Sequence, residues 1–176
     1  MLGELAGVFG AFVFELGALG FGEVGAAVMP VGRLRVELSP RWVARVTLSD
    51  LGTRPHVESA EGSATVSQAL GLFELLGEVA PRAWLKPTIS LGMGGYHVGV
   101  DGSASPPYAG LSAGRLVFAA DTGAGLALAI SPSFALSLEG HATLVAPHPV
   151  IRFLEGESAK LSNPLLYAAL TFVGRL

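Results

Sequence analysis

Residues 33–49 read Arg-Leu-Arg-Val-Glu-Leu-Ser-Pro-Arg-Trp-Val-Ala-Arg-Val-Thr-Leu-Ser. Taken every second residue, one face is Leu34, Val36, Leu38, Pro40, Trp42, Ala44, Val46 and Leu48. The other is Arg33, Arg35, Glu37, Ser39, Arg41, Val43, Arg45, Thr47 and Ser49, with Val43 the one departure from polarity. Wound as a helix, these charges would scatter around the circumference. In an extended strand they share a side.

The same alternation recurs along the chain. In 85–96, Leu85, Pro87, Ile89, Leu91 and Met93 oppose Lys86, Thr88, Ser90, Gly92, Gly94 and Tyr96. In 115–130, Leu116, Phe118, Leu126, Leu128 and Ile130 oppose Arg115, Asp121 and small residues. In 133–145, Phe134, Leu136, Leu138 and Leu144 oppose Ser137, Glu139, His141 and Thr143. Residues 166–176 alternate likewise. Segments 4–16, 21–30 and 64–78 do so more weakly, with Glu15, Glu23, Gln68 and Glu74 as their polar groups. This gives eight strands and one domain, 1–176. Short connections are expected at 30–33, 79–83 and 131–133. Longer ones, rich in Gly, Pro and Ser, fall at 17–20, 50–63, 98–113 and 146–163. Ser39-Pro40-Arg41 matches Ser131-Pro132-Ser133, and a proline removes a ladder donor. The first short turn therefore has two placements, 30–33 or 39–41, and the strand count is the same in both.

Composition decides which face is which. Of 176 residues, 51% are hydrophobic and only 14% charged, about half the usual share. Disorder is excluded on that ground. The 24 glycines and 11 prolines argue against a helical bundle. No apolar run reaches the length of a spanning helix; the best, Leu5 to Leu19, contains Glu15 and three glycines. The spanning structure that remains is a closed β-barrel. A soluble barrel needs roughly a quarter to a third of its surface charged. The polar face here is too sparse for that and sufficient for a narrow lumen. The apolar face is therefore read as lipid-facing, with Leu38, Val46, Leu91 and Leu136 on it. Trp42, Trp84, Phe21, Tyr108 and Tyr167 fall near strand ends, where interfacial aromatics belong.

In pattern, over its whole length, the chain resembles the small eight-stranded outer-membrane barrels of the OmpA/OmpX type. Its last segment, Leu166-Tyr167-Ala168-Ala169-Leu170-Thr171-Phe172-Val173-Gly174-Arg175-Leu176, is similar to the terminal strand such proteins present to the barrel-assembly machinery, with leucine where the family ends in an aromatic. The segments Trp84-Leu85-Lys86-Pro87 and Leu91-Gly92-Met93-Gly94-Gly95-Tyr96 also look like the middle hairpin of such barrels. The resemblance implies an eight-stranded antiparallel up-and-down transmembrane β-barrel in the outer membrane of a Gram-negative bacterium. It implies two partners, the lipid bilayer and the assembly machinery, and a monomer.

The inward residues expected to form a lumen charge network are Arg33, Arg35, Glu37, Arg41, Arg45, Glu74, Lys86, Arg115, Asp121, Glu139 and His141. With Glu15 and Glu23 counted among the inward anions, six cations face six anions, and the signs balance as buried charges must. Two readings stay open: a salt-bridged plug, or a narrow ion path. The net charge of -3 carries no basic surplus for nucleic acid. With no cysteine, thiolate metal sites and disulfides are out. Catalysis would need a Ser/His/acid set. Ser137, Glu139 and His141 share a face, but a two-residue step in a strand is about 7 Å, too far for a direct triad. His97 and His148 near the rim do not by themselves make a metal site, and His56 lies in a loop. Gly92-Met93-Gly94-Gly95 lacks the Lys and Ser/Thr of a phosphate loop. The expectation is no cofactor, no metal and no enzyme, but a structural, adhesive or loop-mediated binding role. The alternatives are a narrow channel, a soluble ligand-binding β-barrel or, further off, a lipid-modifying enzyme.

Overall fold

A computed structural model describes residues 15–20, 27–50, 52–59, 62–80, 84–104, 106, 109–131, 134–147, 150–152, 158–160 and 163–174. The strands are β1 (Glu15–Gly20), β2 (Ala27–Ser39), β3 (Trp42–Ser49), β4 (His56–Ser59), β5 (Gly62–Glu78), β6 (Leu85–Ala104), β7 (Ser112–Ala129), β8 (Phe134–Ala146), β9 (Val150–Arg152), β10 (Ser158–Lys160) and β11 (Leu165–Gly174).

Antiparallel pairing runs β1–β2–β3–β5–β6–β7–β8–β11, and β11 returns to β1. Eight strands thus close an up-and-down barrel with no edge inside the ring, which is how an all-β chain satisfies its backbone without water. β4 continues the β3 side of β5, and β9 and β10 form a separate hairpin.

The first short turn sits at 39–41, not 30–33. Residues 30–33 lie inside β2, and Ser39 faces Trp42 across the turn. Pro40 presets the backbone for a tight turn, and the Ser39 hydroxyl accepts from the Trp42 amide at 3.2 Å. Ser131 repeats the device, accepting from the Phe134 amide at 3.1 Å. Odd residues pair with odd across this turn, as in Arg35 with Arg45, so the face assignment of the whole stretch survives. Two expected loops also shift. Residues 17–20 belong to β1, and 98–113 is mostly strand, leaving 105–111 as the connection. The latter happens because Val98 and Val100 keep the inward alternation going beyond Tyr96.

Outward positions are apolar and exposed: Phe73 and Leu75 on β5, Ile89, Leu91 and Met93 on β6, Leu116 and Phe118 on β7, and Leu138 and Leu144 on β8. Leu38 is exposed as well, and Val46 and Leu136 are half-buried by their neighbours on the same face. Trp42, Trp84, Phe134 and Phe172 lie exposed at the short-turn rim. Tyr167 is no girdle residue: it is inward and buried, while Phe21 and Tyr108 lie outside the described residues.

The interior has two storeys. Towards the long-loop rim it is apolar, built from Val66, Leu70, Leu72, Val98, Val117 and Val145 around Tyr96. The lower half is polar. Such a wall, greasy outside and charged inside, inverts the order of a soluble barrel and suits a lipid surround.

Candidate functional site

The polar storey is assembled from neighbouring rungs. Arg33 on β2, Arg45 and Thr47 on β3, Glu74 on β5, Asp121 on β7, Ser137, Glu139, His141 and Thr143 on β8, and Thr171 on β11 all point inward and are buried. Eight strands enclose little space, so these side chains must share it. Glycine makes the room. Glu74 faces Gly92 across the ladder, Glu139 faces Gly125, and His141 faces Gly123. A Cβ at Gly123 would lie 2.6 Å from His141 Nδ1 and from Ser90 Oγ, and one at Gly125 would lie 2.6 Å from Glu139 Cγ. The long buried polar groups and the inward glycines are therefore one design, read across strands.

Arg45 is the hub. Its Nε donates to Glu74 Oε2 at 3.0 Å and its Nη2 to Glu74 Oε1 at 2.6 Å, a two-pronged grip on one carboxylate. Its Nη1 donates to Glu139 Oε2 at 2.7 Å. Arg33 Nη1 reaches the same oxygen at 3.1 Å and Thr171 Oγ1 at 3.1 Å. Thr47 donates to Glu74 through a short bond. Across the lumen, His141 Nδ1 lies 2.8 Å from Asp121 Oδ2 and Nε2 lies 3.2 Å from Glu139 Oε2. Thr143 completes Asp121 at 2.6 Å. Both ring nitrogens of His141 face carboxylate oxygens, and an imidazole donates from both only as the imidazolium. In that form Arg33, Arg45 and His141 balance Glu74, Asp121 and Glu139. The Tyr167 ring stacks on His141, centroids 4.2 Å apart and 7° from parallel.

A second, looser set lies nearer the short-turn rim. Lys86 Nζ is 3.2 Å from Glu78 Oε2, and Arg35 Nη2 is 3.8 Å from Glu78 Oε1. These groups are half-buried. Glu78 was not among the expected network residues, because it sits at the strand end beside the predicted turn.

The structure brings together Arg33, Arg45, Glu74, Asp121, Glu139 and His141 in the buried centre, and Arg35 with Lys86 below it. Glu37, Arg41 and Arg115 are exposed rather than buried in that centre. Glu37 lies next to the register shift that ends β2, and Arg41 lies in the turn itself, past the end of the wall. Arg115 has inward parity, but among the described residues β8 pairs with β7 only as far as Phe118, and Arg115 is exposed. The side chains of Glu15 and Glu23 lie outside the described residues. Sequence reasoning missed the apolar storey above. The signal is in 69–73, Ala-Leu-Gly-Leu-Phe, a strand stretch apolar on both faces.

The chemistry of this cluster is that of ions holding ions. Among the described residues, Glu74, Asp121 and His141 offer ligand atoms within 4.8 Å of one another. Arg45 already grips Glu74, and both nitrogens of His141 already face carboxylates, so the protein's own cations stand where a metal would. Ser137 Oγ lies 3.5 Å from Glu139 Oε1, and His141 turns to Asp121 and Glu139. No Ser–His contact arises there.

No protein-family model matches the sequence, and no curated protein matches it. Solved structures do match. Ail, the attachment invasion locus protein of Yersinia pestis, determined in complex with the heparin analogue sucrose octasulfate, superposes with a TM-score of 0.59. The identity is 15%, over 94% of this chain and 95% of that one. Neisserial surface protein A superposes with a TM-score of 0.57 at 10% identity, over 95% of this chain and 96% of that one. The likeness is one of fold: this chain folds as a small eight-stranded up-and-down β-barrel, as those proteins do.

Proposed function

We propose that this protein resides in the outer membrane of a Gram-negative bacterium as a closed, single-domain barrel with a structural or adhesive role. Its working surface is the long-loop rim. The observation that carries this reading is where the apolar wall stops. On β6 the outward residues are apolar from Leu85 to Met93 and then change to Gly95, His97, Gly99, Asp101 and Ser103. The nine residues from Leu85 to Met93, at ~3.3 Å each and tilted by about 45°, give a band of about 21 Å, close to the roughly 25 Å of an outer-membrane barrel's apolar belt. The strand then continues to Ala104, accompanied by β5 from Gly62 and β7 from Ser112. Three strands thus project past the belt, as binding surfaces on a rigid wall do.

The barrel itself serves as scaffold. Its lower lumen is closed by paired charges and its upper lumen by packed apolar side chains, so the protein is not a pore. It is not an enzyme, since the histidine nearest a triad arrangement is spent on two carboxylates. β11 acts as the terminal strand read by the assembly machinery, and the bilayer is the partner of the wall. The attachment role named for Ail is in keeping with a rim that projects.

The test is to express the chain behind an export signal, fractionate the membranes, and refold it from urea with and without detergent. Recovery in outer membranes and folding only with detergent or lipid are expected. A folded, water-soluble protein without detergent defeats the proposal.

A further inference from the structure

We infer that the lumen mouth at the short-turn rim binds a phosphate group, held by Arg35 and Lys86. Arg35 and Arg45 are direct partners across β2 and β3, so two guanidinium groups share one inward rung. Arg33 is the neighbouring inward residue of β2. Like charges set opposite one another in a ladder repel. The fold answers that repulsion unevenly. Arg45 is bonded to Glu74 and Glu139, and Arg33 to Glu139. Arg35 has Glu78 at 3.8 Å, within ion-pair distance but too far for a hydrogen bond.

Glu78 is already engaged, because Lys86 Nζ donates to its Oε2 at 3.2 Å. Two cations thus share one carboxylate. Among the described residues Arg35 donates no hydrogen bond, and Lys86 donates to Glu78 alone. Glu37, the next position of this parity on β2, is exposed and makes no ion pair with either cation. A guanidinium carries five N–H donors and an ammonium three. The Arg35 side chain is 20% exposed and that of Lys86 18%, too enclosed for full hydration and open enough for a ligand to enter. Enclosed donors in folded proteins are nearly always met by an acceptor. An anion with several oxygens meets these.

There is room for it. In the closed ring β7 stands across the lumen from β2, four strands away in either direction. The inward residues at this end of β7 are Gly125, Ala127 and Ala129, joined by Ala135 of β8, and all four keep some exposure. Inward parity with exposure marks an open vestibule, not a packed core. Phosphate is the anion its surroundings select. Its oxygens point in several directions, so a guanidinium fork and an ammonium on different strands can hold it together. The exposed Trp42, Trp84, Phe134 and Phe172 lie at this same rim, which sets the mouth at the depth of lipid headgroups. The phosphate comes from a neighbouring phospholipid or from solution; only the first source rests on the outer-membrane reading.

The experiment uses the full chain, isotope-labelled and refolded in maltoside micelles, which carry no phosphate. Inorganic phosphate is titrated in at constant ionic strength against chloride, and the Arg35 Nε–H and Lys86 ε-methylene signals are followed by NMR. A saturable shift of both is expected with phosphate and none with chloride. Arg35→Gln and Lys86→Gln should each weaken binding about tenfold, the worth of one charge-assisted hydrogen bond. Arg35→Met serves the same end if Arg35→Gln does not fold. Glu78→Gln releases both cations from their shared carboxylate and should tighten binding by a similar factor, which a purely structural role for these residues would not produce. The same titration in phospholipid nanodiscs separates the sources. An Arg35 signal already at its bound position before phosphate is added means that a headgroup fills the site; one that moves only on titration means that the ligand comes from solution. A signal that does neither overturns the inference. So do signals in micelles that phosphate leaves unmoved or chloride moves equally, affinity unchanged without Arg35, or affinity not raised in Glu78→Gln. Any of these leaves the outer-membrane role standing. Failure to enter membranes would instead remove that role and the headgroup source with it, while the titration in micelles still decides the site.

Discussion

Arg45 grips both oxygens of Glu74, through Nε at 3.0 Å and Nη2 at 2.6 Å, while its third nitrogen holds Glu139 at 2.7 Å. All three side chains are buried. Removing one member of a buried ion cluster leaves its partners charged and unpaired, which typically costs about 3–5 kcal/mol. Arg45→Met is therefore expected to destabilise the barrel by about that much. Arg35→Met should cost about 1 kcal/mol or less, because Arg35 is half-buried and 3.8 Å from its partner. Reversible urea unfolding in lipid vesicles measures both. Equal losses would show that burial does not set the difference.

The outer wall gives a second expectation. Leu91 is 69% exposed and lies in the middle of the apolar belt. Arginine there should cost about 2–4 kcal/mol in a bilayer, and far less at His97, above the belt. Unfolding titrations of Leu91→Arg and His97→Arg in vesicles test this. A matching small effect at both positions would contradict a lipid-facing belt.

Gly123 and Gly140 make an internal control. A Cβ at Gly123 would collide with His141 and Ser90, whereas one at Gly140 meets nothing within 4 Å. Gly123→Ala should destabilise by about 1–3 kcal/mol through overpacking. Gly140→Ala should stay within about 0.5 kcal/mol of the parent. Chemical denaturation of the pair in one lipid system distinguishes them. If Gly140→Ala were the more damaging, the assignment of inside and outside would be wrong.

Conduction separates the two storeys of the lumen. Planar-bilayer recordings should show no large steady pore in the parent protein. Arg33→Ala with Glu139→Ala removes charge from the lower storey but leaves Leu70, Leu72 and Tyr96 packed above it, so no pore is expected there either. Stable single-channel steps in the parent would restore the narrow-channel reading. Steps in the double variant alone would show that the charges, not the apolar storey, close the barrel.

The alternation of 33–49 was enough to place Arg33, Arg35 and Arg45 on one face and Leu34, Val46 and Leu48 on the other. A strand has period two, and no partner is needed to see it. Charge scarcity then determined which face met lipid. Strand number followed from counting such stretches, and the placement of the first turn at Ser39-Pro40 was readable as one of two alternatives. What the sequence by itself could not decide was everything that depends on register between strands. Glu139 and His141 are two residues apart in the chain, but Arg45 and Asp121 reach them from other strands. That Glu74, Glu139 and His141 each face a glycine is likewise a cross-strand fact. Parity alone put Arg115 in the lumen; only the folded barrel shows it exposed, above the last described pairing of β7 with β8. Side-chain direction is local, set by the backbone of one strand. Pairing, enclosure and open edges are set by where the neighbouring strand begins and stops, and that is fixed only when the barrel closes.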